Sequence, residues 1–396
     1  MSRDAILIMN AGSSSLKFAF YGADDLSVQA RGALDTAGGT VRLRSLEGQM
    51  ADAFHARALS VHGDINAQVG WILDTVRQDL PLTLVGAGHR VVHGGPAFHE
   101  PVLLDEAIIR TLTLLTPLAP AHQPHNLAGV EAVSQVWPDL PQVACFDTGF
   151  HHTQDRLAQL FPIPRALTDR GVIRYGFHGL SYEHIAARLP ELLGERAEGR
   201  VIVAHLGNGA SLCAMKNRRS IATTMGFTAL DGLMMGTRAG AVDPGLVLWL
   251  ISEQGMAPAE VSDMLNNKSG LLGVSGISND VRELVKSNAP EAAEALDLFA
   301  YRIMRETGSL MAALGGLDAI VFTGGIGEHN PVVRGKVAER LAWAGVDLDP
   351  VRNFRNETVV SRDASAVTVL VEPANEELPI AEAVRRLLGA GEGVST

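Results

Sequence analysis

Cysteines and long apolar runs are scarce in this sequence of 396 residues. Its two cysteines, Cys145 and Cys213, each lie within a short apolar run, which excludes a disulfide framework and predicts two buried thiols. No apolar run approaches the length of a membrane span, and the first residues do not resemble a signal peptide. We therefore expect a cytoplasmic protein with no membrane partner.

Basic residues are also fewer than acidic ones. The 33 Lys and Arg residues face 44 Asp and Glu residues, and the formal net charge is -11. We expect no nucleic-acid partner, because binding a duplex needs a basic face. An anionic small ligand is still compatible with this charge, since a few arginines in one place can hold it. The length is sufficient for two domains, each with its own core.

Two segments of similar design lie about half a chain apart. Each is an apolar strand that ends in glycine and small polar residues and then returns as a second strand: ILIMNAGSSSLKFAF at 6–20 and VIVAHLGNGAS at 201–211. Glycine allows a tight turn with exposed N–H groups, which suits a phosphate. The repetition predicts a duplicated fold with a nucleotide between its halves. In this alignment Asn10, Gly12 and Ser13 correspond to His205, Gly207 and Asn208.

Apolar strands alternate with amphipathic helices, which is typical of the α/β class. Strands are predicted at 6–9, 18–21, 143–146, 201–205, 211–215, 319–322 and 367–371. One helix is predicted at 180–189 with Ser181 as its N-cap, and a long one from Pro290 to Gly315. A third begins at Asp243-Pro244, with an apolar face of Leu246, Val247, Leu250 and Ile251. A Gly-rich turn, TGGIGE, is predicted at 323–328.

Four polar residues have contexts that favour phosphoryl transfer. Arg90 and Arg238 lie in Gly-rich segments, and a guanidinium fork suits a phosphate or a carboxylate, although a structural ion pair explains either one equally well. Asp147 ends a strand and is a candidate base, magnesium contact or helix cap. His178 is a candidate donor to a phosphoryl oxygen or a half-buried structural histidine. No P-loop, dinucleotide fingerprint or zinc pattern is present.

Longer motifs follow one another in order along the whole chain. They are NAGSSSLK at 10–17, RVVHGG at 90–95, FDTGFH at 146–151, RYGFHG at 174–179, HLGNGAS at 205–211, TTMGFT at 223–228, MGTRAG at 235–240, SGLLGVSG at 269–276, GGIGE at 324–328 and NEELPIA at 375–381. With these motifs the chain resembles the acetate and short-chain acyl kinases.

The resemblance implies a duplicated ribonuclease-H-like fold, shared with actin, sugar kinases and heat-shock chaperones, with the active site in the interdomain cleft. It implies an acyl-binding domain at 1–150, completed by a C-terminal helix at about 377–396. A nucleotide-binding and dimerisation domain is implied at 151–376, so a homodimer is expected. The implied reaction converts acetate and ATP to acetyl phosphate and ADP, reversibly and by direct in-line transfer, with Mg²⁺ or with Mn²⁺ in its place.

The resemblance also implies a role for each matching residue. Asp147, Arg90, His178 and Arg238 would be catalytic, and Asn10 and Glu376 would bind the metal. Arg90, Val92, Ala121, Phe177 and Ala229 would bind the acyl substrate. The nucleotide would lie against Lys17, His205, Leu206, Gly207, Asn208, Gly209, Asp280, Val281, Arg282, Gly325, Ile326, Gly327, Glu328 and His329.

Four positions depart from the family pattern. Ala121 and Ala229 stand where Leu and Pro are usual in the methyl pocket, which leaves the acyl size open. Val281 and His329 replace the usual Phe and Asn at the nucleotide end, which leaves the base preference open. A propionate or other short-chain acyl kinase is the alternative enzyme. A non-enzymatic actin-like or chaperone-like ATP-dependent clamp is the alternative from another class.

Overall fold

The computed structural model describes residues 2–12, 15–37, 40–48, 50–56 and 65–389. Ser13 and the last residues of the predicted C-terminal helix, from 390 onward, lie outside this part of the chain. The chain divides into a first unit, residues 1–149 with 375–396, and a second unit, residues 150–374. Each unit is built around one sheet.

The first unit contains a seven-stranded sheet. Its strands are β1 (Arg3–Ala11), β2 (Ser15–Gly22), β3 (Val28–Ala37), β4 (Thr40–Glu47), β5 (Leu82–Val91), β6 (Val102–Leu103) and β7 (Gln142–Phe146), in the order β4-β3-β2-β1-β5-β7-β6. Its helices are α1 (Ala51–Ala56), α2 (Ile65–Asp79), α3 (Glu106–Leu114), α4 (Gln123–Val136) and α16 (Glu377–Leu388). The core lies under α2 and α4, where the rings of Phe18, Phe20, Phe54 and Trp71 are in mutual contact.

The second unit contains a five-stranded sheet. Its strands are β8 (Arg200–Leu206), β9 (Ala210–Lys216), β10 (Arg219–Thr223), β11 (Ala319–Thr323) and β12 (Thr368–Val371), in the order β10-β9-β8-β11-β12. Its helices are α5 (Arg156–Gln159), α6 (Arg165–Thr168), α7 (Gly179–Leu193), α8 (Pro244–Ser252), α9 (Pro258–Asn267), α10 (Gly270–Ser275), α11 (Val281–Lys286), α12 (Pro290–Leu314), α13 (Gly324–His329), α14 (Pro331–Arg340) and α15 (Pro350–Phe354). One core cluster joins α7 to β8, β9 and β11.

The two sheets share one topology. In the first unit β1 pairs antiparallel with β2, and β2 pairs antiparallel with β3, while β5 pairs parallel with β1 and β7 pairs parallel with β5. In the second unit β8, β9, β10, β11 and β12 pair in the same way as β1, β2, β3, β5 and β7. This is the ribonuclease-H-like arrangement, present twice, so the duplicated α/β fold is confirmed. β4 and β6 extend the first copy.

The seven predicted strands are confirmed as β1, β2, β7, β8, β9, β11 and β12, and α12 ends as predicted at Gly315 with φ 72. One prediction about a helix is wrong: Ser181 lies inside α7, whose N-cap is His178. The helix predicted from Asp243-Pro244 is confirmed as α8 with Asp243 as its N-cap, and no side chain of α8 is buried. Both cysteines are buried and free. None of the described helices combines the length and apolar character that crossing a membrane requires.

Candidate active site

Three polar residues of the first unit lie at the carboxyl ends of neighbouring parallel strands. Asn10 is near the end of β1, Arg90 near the end of β5, and Asp147 directly follows β7. The register pairs Met9 with His89 and Arg90 with Cys145, so the three residues reach the same edge of the sheet. In open α/β sheets this edge is where ligands bind.

Arg90 is the centre of this group. Its Nε donates to Asp147 Oδ1 at 3.0 Å and its Nη2 donates to Asp147 Oδ2, which makes a bidentate ion pair. Its Nη1 donates to Asn10 Oδ1 at 3.2 Å, and Glu376 Oε2 lies 3.8 Å from its Nε. The sequence left an ion pair open as an explanation of Arg90, and the structure shows that pair.

The ionisation of this group follows from its burial. Burial raises the pKa of Asp147 above its usual value; Arg90 opposes that rise, and Glu376 adds to it. Burial alone would lower the pKa of Arg90, but the two nearby carboxylates raise it above its usual value, so Arg90 stays charged. The group therefore presents a fixed cation whose fork is held by one carboxylate.

The oxygen atoms around Arg90 fit a magnesium ion. Asn10 supplies an amide oxygen and Glu376 a carboxylate, and such hard oxygen ligands are what Mg²⁺ prefers. Among the described residues, no three His, Cys, Asp or Glu side chains are grouped as a complete metal site. Mg²⁺ commonly binds through one or two protein ligands, with water and substrate phosphates completing its shell. Lys17 lies opposite Asn10 in the β1–β2 hairpin and its side chain is exposed.

The sequence did not identify two buried amides that hold this edge of the sheet together. Asn126 Nδ2 donates to the carbonyl of Ala11 at 2.6 Å, and its Oδ1 accepts from the amide of Val92 at 2.9 Å. Gln123 exchanges hydrogen bonds with the amide and carbonyl of His93, at 3.2 and 3.0 Å. The two amides therefore fix the chain just beyond β1 and β5. The only signal in the sequence was the polar run HQPHN at the start of α4.

The second unit contains a glycine hairpin and two histidines at the corresponding edge of its sheet. β8 ends at Leu206, the loop Gly207–Gly209 follows, and the Gly207 amide donates to the carbonyl of Gly209 at 3.0 Å. The rings of His178 and His205 stack at a centroid distance of 4.3 Å. His178 has φ 60, a left-handed conformation that is strained for a residue with a side chain and is often found at functional sites.

Arg238 completes this second group. Its Nη1 donates to the carbonyl of Ala229 at 2.6 Å. A Cβ atom at Gly209 would lie 2.9 Å from Arg238 Nη2 and 3.3 Å from His178 Nε2. The guanidinium and the imidazole therefore both face the glycine of the hairpin, and a side chain at this position would displace one or both of them. These two nitrogen donors beside the glycine hairpin are a candidate anion site.

Gly209→Ala is expected to lower kcat at least tenfold, because the new methyl group occupies the place where His178 and Arg238 face the hairpin. The backbone of Gly209 has no positive φ, so the effect comes from the side chain alone. Gly308→Ala in α12 is the matched control, since its Cβ meets nothing within 4 Å. That variant should keep wild-type kcat, and the idea fails if the two variants are equally active.

The residues predicted for the nucleotide form two further groups in the second unit. Asn279 Nδ2 donates to Asn208 Oδ1 at 3.3 Å and so links the hairpin to the start of α11. Asp280 caps α11 and pairs with Arg282 at 2.6 Å, so these two predicted contacts bind each other. Val281 is buried.

The segment predicted as the turn 323–328 is instead the last residue of β11, Thr323, followed at once by the short helix α13. Gly325 and His329 are exposed on it, and Ile326 is half-buried. Arg334, itself fully buried, donates to the carbonyls of Gly327 and Glu328 at 2.6 and 2.9 Å. This arginine, which the sequence did not single out, holds the end of α13.

The four residues predicted for the acyl group, besides Arg90, have different surroundings. Val92 is buried in the first unit, and Ala121 is exposed in the turn before α4. Phe177 is buried in the second unit, and Ala229 is half-buried there beside Arg238.

A duplicated ribonuclease-H-like fold with an arginine–carboxylate group in one copy and a candidate anion site in the other fits a phosphotransferase. The chain belongs to the acetokinase family, whose model matches residues 5–382. The chain is 49% identical over 400 residues to the acetate kinase of Rhodopseudomonas palustris, covering 98% of this chain and 99% of that protein. Its activity is accordingly phosphoryl transfer to a carboxyl acceptor.

Solved structures agree with this assignment. A propionate kinase from Francisella tularensis superposes with a TM-score of 0.89 at 34% identity, covering 97% of this chain and 99% of that one. The acetate kinase of Porphyromonas gingivalis superposes with a TM-score of 0.85 at 35% identity, covering 97% of this chain and 100% of that one.

Proposed function

We propose that this protein transfers the γ-phosphoryl group of ATP to acetate, reversibly and in one step, giving acetyl phosphate and ADP. The observation that carries the proposal is the charged Arg90 at the carboxyl edge of the first sheet, held by Asp147 and next to two oxygen ligands. Arg90 would bind the acetate carboxylate. Arg238 and His178 would donate to the oxygens of the phosphoryl group as negative charge develops on them.

The remaining predicted residues have supporting roles in this proposal. The hairpin Gly207–Gly209 would bind phosphates through its amides, with Lys17 contributing charge, and α11 and α13 would contact the nucleoside. Asn10 and Glu376 would hold Mg²⁺, which supplies charge neutralisation at the phosphates when bound.

Detection of the acyl phosphate tests this function. The protein is incubated with ATP, Mg²⁺ and acetate, and hydroxylamine converts any acetyl phosphate to a coloured hydroxamate. Hydroxamate that depends on all three reagents supports the proposal. ATP hydrolysis that is independent of acetate, with no hydroxamate, would instead favour the clamp-like alternative.

Propionate is expected to be used within about tenfold of acetate in kcat/KM, because Ala121 and Ala229 carry smaller side chains than the family pattern. One methylene in an apolar pocket is worth roughly 1–3 kcal/mol, or about 10–200-fold in specificity. The propionate-to-acetate ratio is measured in the wild type and in Ala121→Leu with Ala229→Pro. An unchanged ratio in the double variant would show that these positions do not set acyl size.

The proposal includes a homodimer formed through α8. This helix exposes four large apolar side chains, with Leu248 67% and Trp249 48% exposed besides Leu246 and Ile251. Large apolar side chains exposed together on one helix are typical of a protein–protein interface, and a two-fold dimer covers the same residues on both copies.

Leu248→Glu is expected to convert the dimer to a monomer in sedimentation at a fixed concentration, because it places a charge in the centre of the α8 surface. Phe354→Glu is the control, since Phe354 is 76% exposed on α15. The assignment is wrong if Leu248→Glu stays dimeric or if both variants dissociate.

A cytoplasmic location, supported by the two free buried thiols, is also part of the proposal.

A further inference from the structure

A chain of hydroxyl groups lies behind the ring of His178. Tyr182 Oη lies 2.5 Å from Ser211 Oγ, and Ser211 Oγ lies 2.8 Å from His178 Nδ1. Tyr182 on α7 and Ser211 on β9 are both fully buried. Buried hydroxyls satisfy their hydrogen bonds inside the protein, so the direction of each bond follows from the partners at hand.

The direction is set at Tyr182. Burial holds the pKa of Tyr182 well above its usual value, so the hydroxyl keeps its proton. The proton of a buried hydroxyl needs an acceptor, and Ser211 Oγ at 2.5 Å is in place to accept it. The Tyr182 hydroxyl therefore donates to Ser211 Oγ. Ser211 is then left to donate its own proton to His178 Nδ1.

This direction fixes the proton on the other nitrogen of the His178 ring. In a neutral imidazole one nitrogen accepts and the other carries the hydrogen. With Nδ1 accepting, the hydrogen is on Nε2, the atom that faces the Cβ position of Gly209 at 3.3 Å. We propose that Tyr182 and Ser211 are positioning residues that hold His178 in the neutral form protonated at Nε2. This inference rests on the proposed function, in which Nε2 faces the transferring phosphoryl group.

The backbone of His178 is held by a second buried histidine. His151 Nε2 lies 2.9 Å from the carbonyl of Phe177, an atom that only accepts, so Nε2 donates and Nδ1 accepts from Ser220 at 2.9 Å. A Cβ atom at Gly176 would lie 2.5 Å from the His151 ring, which shows how closely the segment is held. The left-handed backbone of His178 is thus fixed on one side while the hydroxyl chain orients its ring.

The experiment uses ¹⁵N chemical shifts of ring-labelled histidines in the full-length protein, with His178 assigned by its loss in His178→Gln. We expect an N–H-type shift at Nε2 and an acceptor-type shift at Nδ1. Ser211→Ala should convert His178 to a mixture of the two neutral forms and lower kcat about 10–100-fold, as when a partner that orients a functional histidine is removed. Tyr182→Phe, which preserves packing, should shift the mixture less, and Ser211→Thr should restore the wild-type form.

Ser181→Ala is the matched control, because Ser181 also lies on α7 but its hydroxyl contacts His205 Nδ1 at 2.8 Å. It should change the shifts of His205 and leave those of His178 in place. A wild-type His178 protonated at Nδ1, or shifts that Ser211→Ala and Tyr182→Phe leave unchanged, would overturn the inference. If no hydroxamate forms while the shifts behave as expected, the proposed function fails and the hydroxyl chain stands.

Discussion

Replacing Arg238 with Ala is expected to lower kcat by roughly two to four orders of magnitude, or about 3–5 kcal/mol of lost transition-state stabilisation. Arg238 Nη2 and His178 Nε2 both face Gly209 of the hairpin, and Arg238 Nη1 donates to the carbonyl of Ala229. The guanidinium is therefore positioned before substrate arrives. Its attraction grows as negative charge develops on the phosphoryl oxygens, so the loss should be in kcat.

Two comparisons separate this role from a structural one. Arg238→Lys should restore little activity, because an ammonium lacks the planar fork that reaches Ala229 and the hairpin together. Added guanidinium should partly rescue Arg238→Ala if the site itself is intact. Arg362→Ala, which removes a half-exposed ion pair with Asp347, is the control and should keep wild-type kcat. Near-normal kcat with only a raised KM in Arg238→Ala would show that the residue binds ground state and transition state alike.

The hairpins at the centre of both units could be predicted because their information is local. Runs of β-branched and apolar residues followed by glycine define β1 and β8, and the aligned residues Asn10 and His205 do occupy matching places. Asn10 pairs with Lys17, and His205 pairs with Ser211, each next to the last pair of its hairpin. The similarity in sequence between the two hairpins was therefore sufficient to predict that Asn10 and His205 occupy equivalent positions.

β5 was not predicted, although it carries Arg90. Gly86 and Gly88 interrupt its apolar pattern, and glycine weakens a strand. The structure gives the reason for them. A Cβ atom at Gly88 would lie 2.4 Å from Ile380, and one at Gly86 would lie 2.4 Å from Leu388, because α16 packs directly on this strand. The contact joins residues almost 300 positions apart, so no local pattern could indicate it.

The sequence predicted individual candidate residues more successfully than their partners. Arg90 and Asp147 are 57 positions apart and meet only because β5 and β7 are neighbours. Tyr182 looks like any apolar residue on the buried face of a helix, yet its hydroxyl reaches Ser211 on another element. The apolar run of α8 predicted a helix but not its exposure, since a periodic pattern does not say what covers a face.

Asp147→Asn is expected to lower kcat by about three orders of magnitude or more, corresponding to about 4 kcal/mol, while ATP still binds. Both oxygens of the Asp147 carboxylate accept from Arg90. An amide has one acceptor oxygen and would turn its NH₂ group toward a guanidinium that only donates. Arg90 would then lose its bidentate anchor and the orientation in which it would bind acetate. ATP affinity, measured by calorimetry, should stay within about threefold, because the hairpin Gly207–Gly209 and Arg238 belong to the second unit whereas Asp147 belongs to the first.

The same ion pair argues for direct transfer. A carboxylate whose two oxygens are held by one guanidinium is poorly placed to attack a phosphorus atom, whereas acetate is already an ionised nucleophile at neutral pH. One displacement inverts the configuration at phosphorus, and a phosphorylated Asp147 would require two displacements with net retention. ATP made chiral at the γ-phosphate distinguishes them: we expect acetyl phosphate of inverted configuration. Net retention, or a phosphoryl group trapped on Asp147, would instead identify Asp147 as the nucleophile.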